Sequence, residues 1–336
     1  RPGVLKAIGN TPLIELKSLS KATGCTILAK CEHLNPGGSV KDRAALWMVE
    51  KAEKDGRLSP GGVICEGTGG NTGVGLALVA AAKGYQSIMA MPASIAQEKI
   101  DAMKIFGASV ILTPSVPFTD KRHYFHTAKR AAAERKNGFF PNQFDNEANY
   151  QAHLEGTAPE IWAQTQGKSG KYTHTHTHTH THTRTQLSFL SHPTRTSCMP
   201  TGTHKSHRMK TKVPIAQGSS VTEGIGIGRL TANFAKAKID GAFTGSDEEA
   251  IEMAYHLKEV DGVLVGPSAA LNVVGAVKLA RKLGPGKTVV TVLCDSGDRY
   301  KSKLFNEQWM REKGFLSTLE RSTEVRRRDD ALTWIS

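Results

Sequence analysis

Short apolar runs alternate with alanine-rich stretches of helical period from Ile27 to Leu112, and this one pattern leaves few folds open. Ile27-Leu-Ala-Lys reads as a strand, Asp42 to Glu53 as a helix, Val63-Ile-Cys as a strand and Thr72 to Ala82 as a helix. Ser87-Ile-Met-Ala-Met, a helix over Gln97 to Phe106 and Ser109-Val-Ile-Leu continue the series. It returns late in the chain as a helix over Asp247 to Val260, the strand Gly262-Val-Leu-Val, a helix over Leu271 to Leu283 and the strand Thr288-Val-Val-Thr-Val-Leu. Such repeats are βαβ units, so the expected class is α/β with parallel-rich sheets flanked by helices. At 336 residues the chain is long enough for two packed lobes sharing a cleft, since single cores stop growing near about 250 to 300 residues.

Between Tyr172 and Lys212 the hydrophobic period stops, and Thr and His alternate strictly from Thr173 to Thr183. A translated ACACAC repeat gives this string in one frame, which points to unspliced or misjoined sequence. Residues 171–212 are therefore expected to be disordered and to interrupt the fold. His174, His176, His178, His180 and His182 would share one face of a strand. A polar tract supplies neither a fixed tetrahedral set nor supporting partners for a metal, so no metal site is expected. The tract also carries seven Lys or Arg and no acid, which accounts for over half of the net charge of +13. That excess has no interleaved aromatics, so no nucleic-acid partner is expected. No stretch nears the roughly 20 apolar residues of a membrane span; the most apolar run, Gly73 to Ala82, reads as buried core. Five cysteines without a C-x-x-C pair indicate neither a disulfide framework nor zinc and fit a reducing compartment. The expected location is the cytoplasm, or an organelle if a targeting segment precedes Arg1. The end from Ser317 to Ser336 reads as a loosely packed tail.

Two glycine-containing loops carry the chemistry. Asn35-Pro-Gly-Gly-Ser-Val-Lys41-Asp-Arg43 leads into a helix and puts Lys41 in its first turn. A cation opposes the positive end of the helix dipole, so a lysine there is costly and suggests use. Glu66-Gly-Thr68-Gly69-Gly70-Asn71-Thr72-Gly-Val-Gly sits between a strand and an alanine-rich helix. Backbone N–H groups at that helix start, with the hydroxyls of Thr68 and Thr72, form a nest suited to a carboxylate. A dinucleotide fingerprint fits poorly, because Thr72 stands at the third glycine position and the next strand ends in Met91-Pro92 rather than an acid. Gly284-Pro-Gly-Lys-Thr lacks the first glycine of a phosphate loop and precedes its strand.

The first string closely resembles the lysine motif of fold-type II pyridoxal-phosphate enzymes, and the blocks in order resemble the cysteine synthase family. The likeness spans about Leu5 to Lys168 and Val213 to Phe315. It implies a two-lobed, tryptophan synthase β-like fold, with residues 37–147 as the smaller mobile lobe. Residues 1–36, 148–170 and 213–316 would build the larger cofactor lobe. It implies that Lys41 binds the aldehyde of pyridoxal 5'-phosphate and then acts as base. Asn71 would face the ring oxygen. Ser268, in Gly266-Pro-Ser-Ala-Ala-Leu-Asn272, would meet the pyridine nitrogen; read alone, it is also a plain helix N-cap. The substrate carboxylate would lie on Thr68, Gly69, Gly70, Asn71 and Thr72, with Gln143 of Asn142-Gln-Phe-Asp-Asn146 nearby. Glu223-Gly-Ile-Gly-Ile-Gly228 is similar to the loop over the cleft, and Cys294-Asp-Ser-Gly-Asp-Arg-Tyr300 to the final strand and turn. The implied reaction makes cysteine from O-acetylserine and sulfide in a homodimer. Cystathionine β-synthase, serine or threonine dehydratase and a catalytically impaired homologue are the alternatives. Two departures stand out: the family has Pro where Gly67 stands and Ser where Gly69 stands. The Gly-Thr-Gly-Gly-Thr loop that cradles the cofactor phosphate also has no counterpart between Lys168 and Val213. The tract lies in its place, so weak cofactor binding is expected.

Overall fold

Strand β1 (Leu13–Glu15), helix α1 (Lys17–Thr23), β2 (Thr26–Lys30), α2 (Lys41–Lys54), β3 (Val63–Gly67), α3 (Asn71–Lys83) and β4 (Gln86–Pro92) open the chain. They are followed by α4 (Gln97–Lys104), β5 (Ser109–Thr113), α5 (Tyr124–Ala133), β6 (Gly138–Phe139), α6 (Glu147–Ala152) and α7 (Ala158–Gln164). Beyond these lie β7 (His176–His180), β8 (Arg184–Phe189), α8 (Ala232–Ala235), β9 (Gly241–Ser246), α9 (Asp247–Glu259), α10 (Pro267–Leu283), β10 (Thr288–Val292) and α11 (Glu307–Glu312). The computed structural model describes residues 3–167, 220–222, 230–237, 241–318, 320, 332, 334 and 335, and the backbone of β7 and β8.

In the first half, the parallel sheet β5-β4-β3-β6 is covered on both faces. Side chains alternate across a strand. Met89 and Met91 of β4 therefore enter a core with Leu46, Met48, Leu76 and Val79 of α2 and α3. Ile88 faces the other way, with Cys65, Ile111, Ala131 and Ala132. Helix α3 is buried nearly all round, which is why its sequence is almost wholly apolar, and it stops at Gly84 in a left-handed turn of φ 75°. In the second half β10 runs parallel to β2 and β1 runs antiparallel to it. Ile27, Ala29 and Val289 pack there against Leu271, Val274 and Val277 of α10 and Ile251 and Ala254 of α9. A capping box of Ser246 and Glu249, with three acids in the first turn, starts α9.

A buried ionic network fixes the start of α2. Arg43 forks onto Glu32 at 2.7 and 2.8 Å and onto Glu160 of α7 at 2.7 and 2.6 Å. Lys30, with a fully buried side chain, meets Glu160 at 2.7 Å. Planar guanidinium suits two bidentate carboxylates, and α2 is thereby tied to β2 and α7.

Several expectations are corrected. Gly262 to Val265 is not a strand; Val265 makes one bridge to Ser296. Gly262 turns at φ 71° and the Val263 N–H is spent on Leu257 O at the end of α9, so no ladder extends. Helix α10 begins at Pro267 rather than Leu271, because a proline is preset for the first helical position. Residues 171–212 contribute two strands: β7 pairs with β8, and β8 with β9, all antiparallel. A β-branched residue at every second position suits an extended chain. The rest of that segment lies outside the described residues, as do the histidine side chains. The tail is not uniformly loose, since Leu332 and Ile335 are 1% and 3% exposed in the α9–α10 core. Arg281 holds both of their carbonyls, at 2.7 and 2.5 Å. Among the described residues no helix is long and apolar enough to cross a membrane.

Candidate active site

Lys41 is the first residue of α2, at the mouth of a loop pinned from behind. Gly38 turns at φ 77°; its carbonyl accepts from Ser296 N–H at 3.3 Å, and Val40 N–H donates to Cys294 O at 2.8 Å. The Gly37 N–H donates to Asp42 Oδ2 at 2.5 Å. Burial pushes the Asp42 carboxyl up to about 7, against that hydrogen bond and the Arg299 charge. The Lys41 side chain is half-buried, and among the described residues its Nζ makes no hydrogen bond or ion pair. An amine left without a carboxylate on a rigid helix start is available to a ligand.

The turn after β10 gathers the other groups, as expected where ligands bind beyond the carboxyl ends of parallel strands. Asp295 is fully buried. Its Oδ2 accepts from Asn71 Nδ2 at 2.8 Å and from the Tyr300 hydroxyl at 2.7 Å, and its Oδ1 from Ser268 Oγ at 3.4 Å. Arg299 bonds both Asn71 Oδ1 and Gly37 O, closing the loop around the corner. Burial and the Asp295 charge hold the neighbouring Cys294 thiol up at about 12, while the Lys41 charge and the Ser268 and Asn272 side chains act in the opposite sense. Lys41, Asn71 and Ser268, from three helices, therefore converge on Cys294 and Asp295. The Tyr300 phenol is raised well above its ordinary value by burial and by the Asp295 charge.

The second loop borders this corner. Gly70 N–H donates to Thr68 Oγ1 at 3.2 Å, and Thr72 Oγ1 donates to Gln143 Oε1 at 2.6 Å. Thr68, Thr72 and Gln143 are 6%, 4% and 9% exposed. Among the described residues Gln143 Nε2 donates to nothing, so it and the helix N–H groups are left for an anion. Glu66, next to last in β3, is completely buried. Burial pushes its carboxyl up to about 8, against hydrogen bonds from the backbone N–H groups of Gln143 and Gly67. The departures at 67 and 69 have local causes. A β-carbon on residue 67 would stand 2.8 Å from Phe125 Cα of α5, and one on residue 69 would stand 2.5 Å from Ile95 Cδ1. Thr68, Gly69, Gly70 and Thr72 thus form one group with Gln143, joined to the Lys41 corner through Asn71. The Glu223–Gly228 loop lies outside the described residues.

Sequence reasoning missed Asp295, Arg299 and Tyr300 as site residues, although all three lie in a motif it singled out. An acid directly after an apolar strand, as in Val-Leu-Cys-Asp295, is the signal that finds the first of them; Glu66 after Val-Ile-Cys is its counterpart.

Residues 4–295 match the family model of pyridoxal-phosphate dependent enzymes. A protein named cysteine synthase 1 from Emericella nidulans is 44% identical over 96% of this chain and 89% of its own length. Its namesake from Neurospora crassa is 46% identical over 94% and 86%. Among solved structures, a hydrogen sulfide-producing enzyme from Fusobacterium nucleatum superposes with a TM-score of 0.74 at 29% identity, over 89% of this chain and 98% of that one. An O-ureido-L-serine synthase gives a TM-score of 0.76 at 27% identity, over 91% and 95%. The chain belongs to the pyridoxal-phosphate dependent enzymes, in their two-lobed fold-type II form. Within them it is of the cysteine synthase type. The residues present fit the aldehyde and ring end of that cofactor: a primary amine unpaired among the described residues, a carboxamide and a buried hydroxyl meet at one corner.

Proposed function

We propose that the chain carries out β-replacement on O-acetyl-L-serine: the bond to the acetate oxygen breaks, acetate leaves, and sulfide adds at the same carbon to give L-cysteine. The observation that carries this reading is the unpaired Lys41 Nζ at a corner shared with Asn71 and Ser268, beside a buried anion nest. Lys41 would hold the cofactor aldehyde, Asn71 the ring oxygen and Ser268 the ring nitrogen. Bound pyridoxal phosphate supplies an electron sink for the charge left as the α-proton departs. The Thr68–Thr72 backbone N–H groups and Gln143 Nε2 hold the substrate carboxylate, which aims the α-proton at Lys41. Lys41 Nζ then takes that proton. Ser268 offers a neutral hydroxyl, so the sink is weaker than one backed by an acid at the ring nitrogen, which favours prompt loss of acetate.

Lys41→Ala, assayed at saturating pyridoxal phosphate, is expected to lose cysteine formation by at least about 100-fold, the usual contribution of a positioned base. Borohydride reduction of the parent chain should fix the cofactor to the peptide carrying Lys41. Unimpaired Lys41→Ala, or label on another lysine, would overturn the assignment. A mouse protein named cystathionine beta-synthase is 35% identical over 94% of this chain but over only 57% of its own length. Turnover with sulfide but not homocysteine separates the two activities.

A further inference from the structure

Glu66 is a buried acid that the proposed chemistry does not use, and its surroundings are specific. Its Oε1 accepts from Gly67 N–H at 2.9 Å and its Oε2 from Gln143 N–H at 3.2 Å. The first of these donors is the last residue of β3, directly before the Thr68–Thr72 loop. The second belongs to the residue whose side-chain oxygen accepts from Thr72. Asn142, directly before Gln143, stands at φ 54°, a left-handed conformation that Asn tolerates better than most residues. From its other side Gln143 is held at its carbonyl by Asn149 at 2.8 Å and by Asn233 at 3.1 Å. Both backbone polar groups of Gln143 are thus fixed, and Glu66 ties its N–H to the strand end that leads into the Thr68–Thr72 loop, beside the direct Thr72–Gln143 bond.

We infer that Glu66 is a positioning residue for substrate: its carboxyl brackets the Thr68–Thr72 loop to Gln143, so that both grip the amino-acid carboxylate as one rigid site. This rests on the proposed role of that nest. A carboxyl can accept at both oxygens whether ionised or protonated, which two opposed N–H donors require; an amide in its place turns an NH2 group onto one of them. Losing one side of the bracket frees either the loop or Gln143, and the grip loosens while Lys41, Asn71 and Ser268 stay in place.

The test compares Glu66→Gln with the parent at saturating pyridoxal phosphate. The expected result is a roughly tenfold higher KM for O-acetylserine, the effect of losing about one good hydrogen bond. The KM for sulfide should not change and kcat should stay within about threefold. Amide hydrogen exchange should accelerate at Gly67 or Gln143 and not in α10. An unchanged O-acetylserine KM, or a fall confined to kcat, overturns the bracket. Thr72→Ala separates this from failure of the parent reading: if it raises KM while Glu66→Gln does not, the bracket alone falls. If neither variant moves KM, the nest does not hold substrate and both fall. Should Glu66→Gln not fold, Glu66→Asp, with the carboxyl drawn back by one methylene, is read against the same outcomes.

Discussion

At Gly69 one missing methylene and hydroxyl record how closely the nest is packed. Ile95 fills the space that a serine side chain at this position would need, with its Cδ1 2.5 Å and its Cγ1 2.9 Å from where a β-carbon would lie. Both atoms belong to a flexible side chain, so a serine is admitted at a cost of about 1 to 2 kcal/mol of overpacking. Gly69→Ser should lower stability by that amount in urea unfolding, and Gly69→Ser with Ile95→Val should recover most of it. The double variant should also bind O-acetylserine more tightly than the parent, since the restored hydroxyl joins the anion nest; additivity of the two changes would show that Ile95 is not what excludes the serine. The same residue illustrates what sequence reveals about a site. Lys41, Thr68 to Thr72, Gln143 and Ser268 could be singled out because each sits in a string that resembles a family motif, and Asn71 links the Lys41 corner to the loop that holds Gln143. Asp295 and Glu66 could not, because a single acid at the end of a strand becomes informative only once its donors are seen to come from distant segments, Asn71 and Ser268 for one and Gln143 for the other.

Among the elements, those with strong period and clear ends were legible, and those defined by a partner were not. Helices α2 and α3 and strands β3 and β4 lie where alternation puts them, because each buries most of its apolar residues. The segment from Gly262 to Val265 has strand-like residues but only one bridge, since the Val263 amide is taken by the end of α9. Helix α7, seven residues long with only Ile161 buried, has little apolar period; what holds it is Glu160. Burial raises that carboxyl, but hydrogen bonds from Arg43, Lys30 and the Asn10 N–H outweigh burial and bring it down to about 2. Because the folded value lies below the ordinary 4.5, the network's contribution is complete above about pH 4.5 and is lost as pH falls toward 2. Glu160→Gln should therefore cost about 2 to 3 kcal/mol at pH 7, less than the full loss of a buried pair because Glu32 still holds Arg43. It should also flatten the decline in the urea midpoint between pH 4.5 and 2. An equally steep decline in the variant would move the acid sensitivity to other groups.

Across the whole molecule the two halves are not equally complete. The β5-β4-β3-β6 sheet is continuous and covered on both faces, whereas the second half divides its strands between β1-β2-β10 and a separate sheet in which β9 pairs with β8 of the Thr-His tract. Strand β9 is thus joined to residues of a low-complexity segment rather than to β10. The roles proposed for Lys41, Asn71 and Ser268 do not depend on that region; by the resemblance to the cysteine synthase family, the oriented N–H groups that hold the cofactor phosphate would lie there. Losing about three charge-assisted hydrogen bonds of roughly 1.5 to 3 kcal/mol each forfeits about 4 to 9 kcal/mol. That rivals the whole of about 8 kcal/mol behind a micromolar site. The chain as it stands should therefore purify with cofactor absorbance well below one equivalent and regain activity only at high added pyridoxal phosphate. Replacing residues 171–212 with a segment bearing Gly-Thr-Gly-Gly-Thr should bring occupancy to one equivalent and raise the thermal midpoint, as tighter ligand binding requires. One equivalent of tightly held cofactor on the unaltered chain would show that the phosphate has found another cradle, and that the tract costs the molecule nothing at this site.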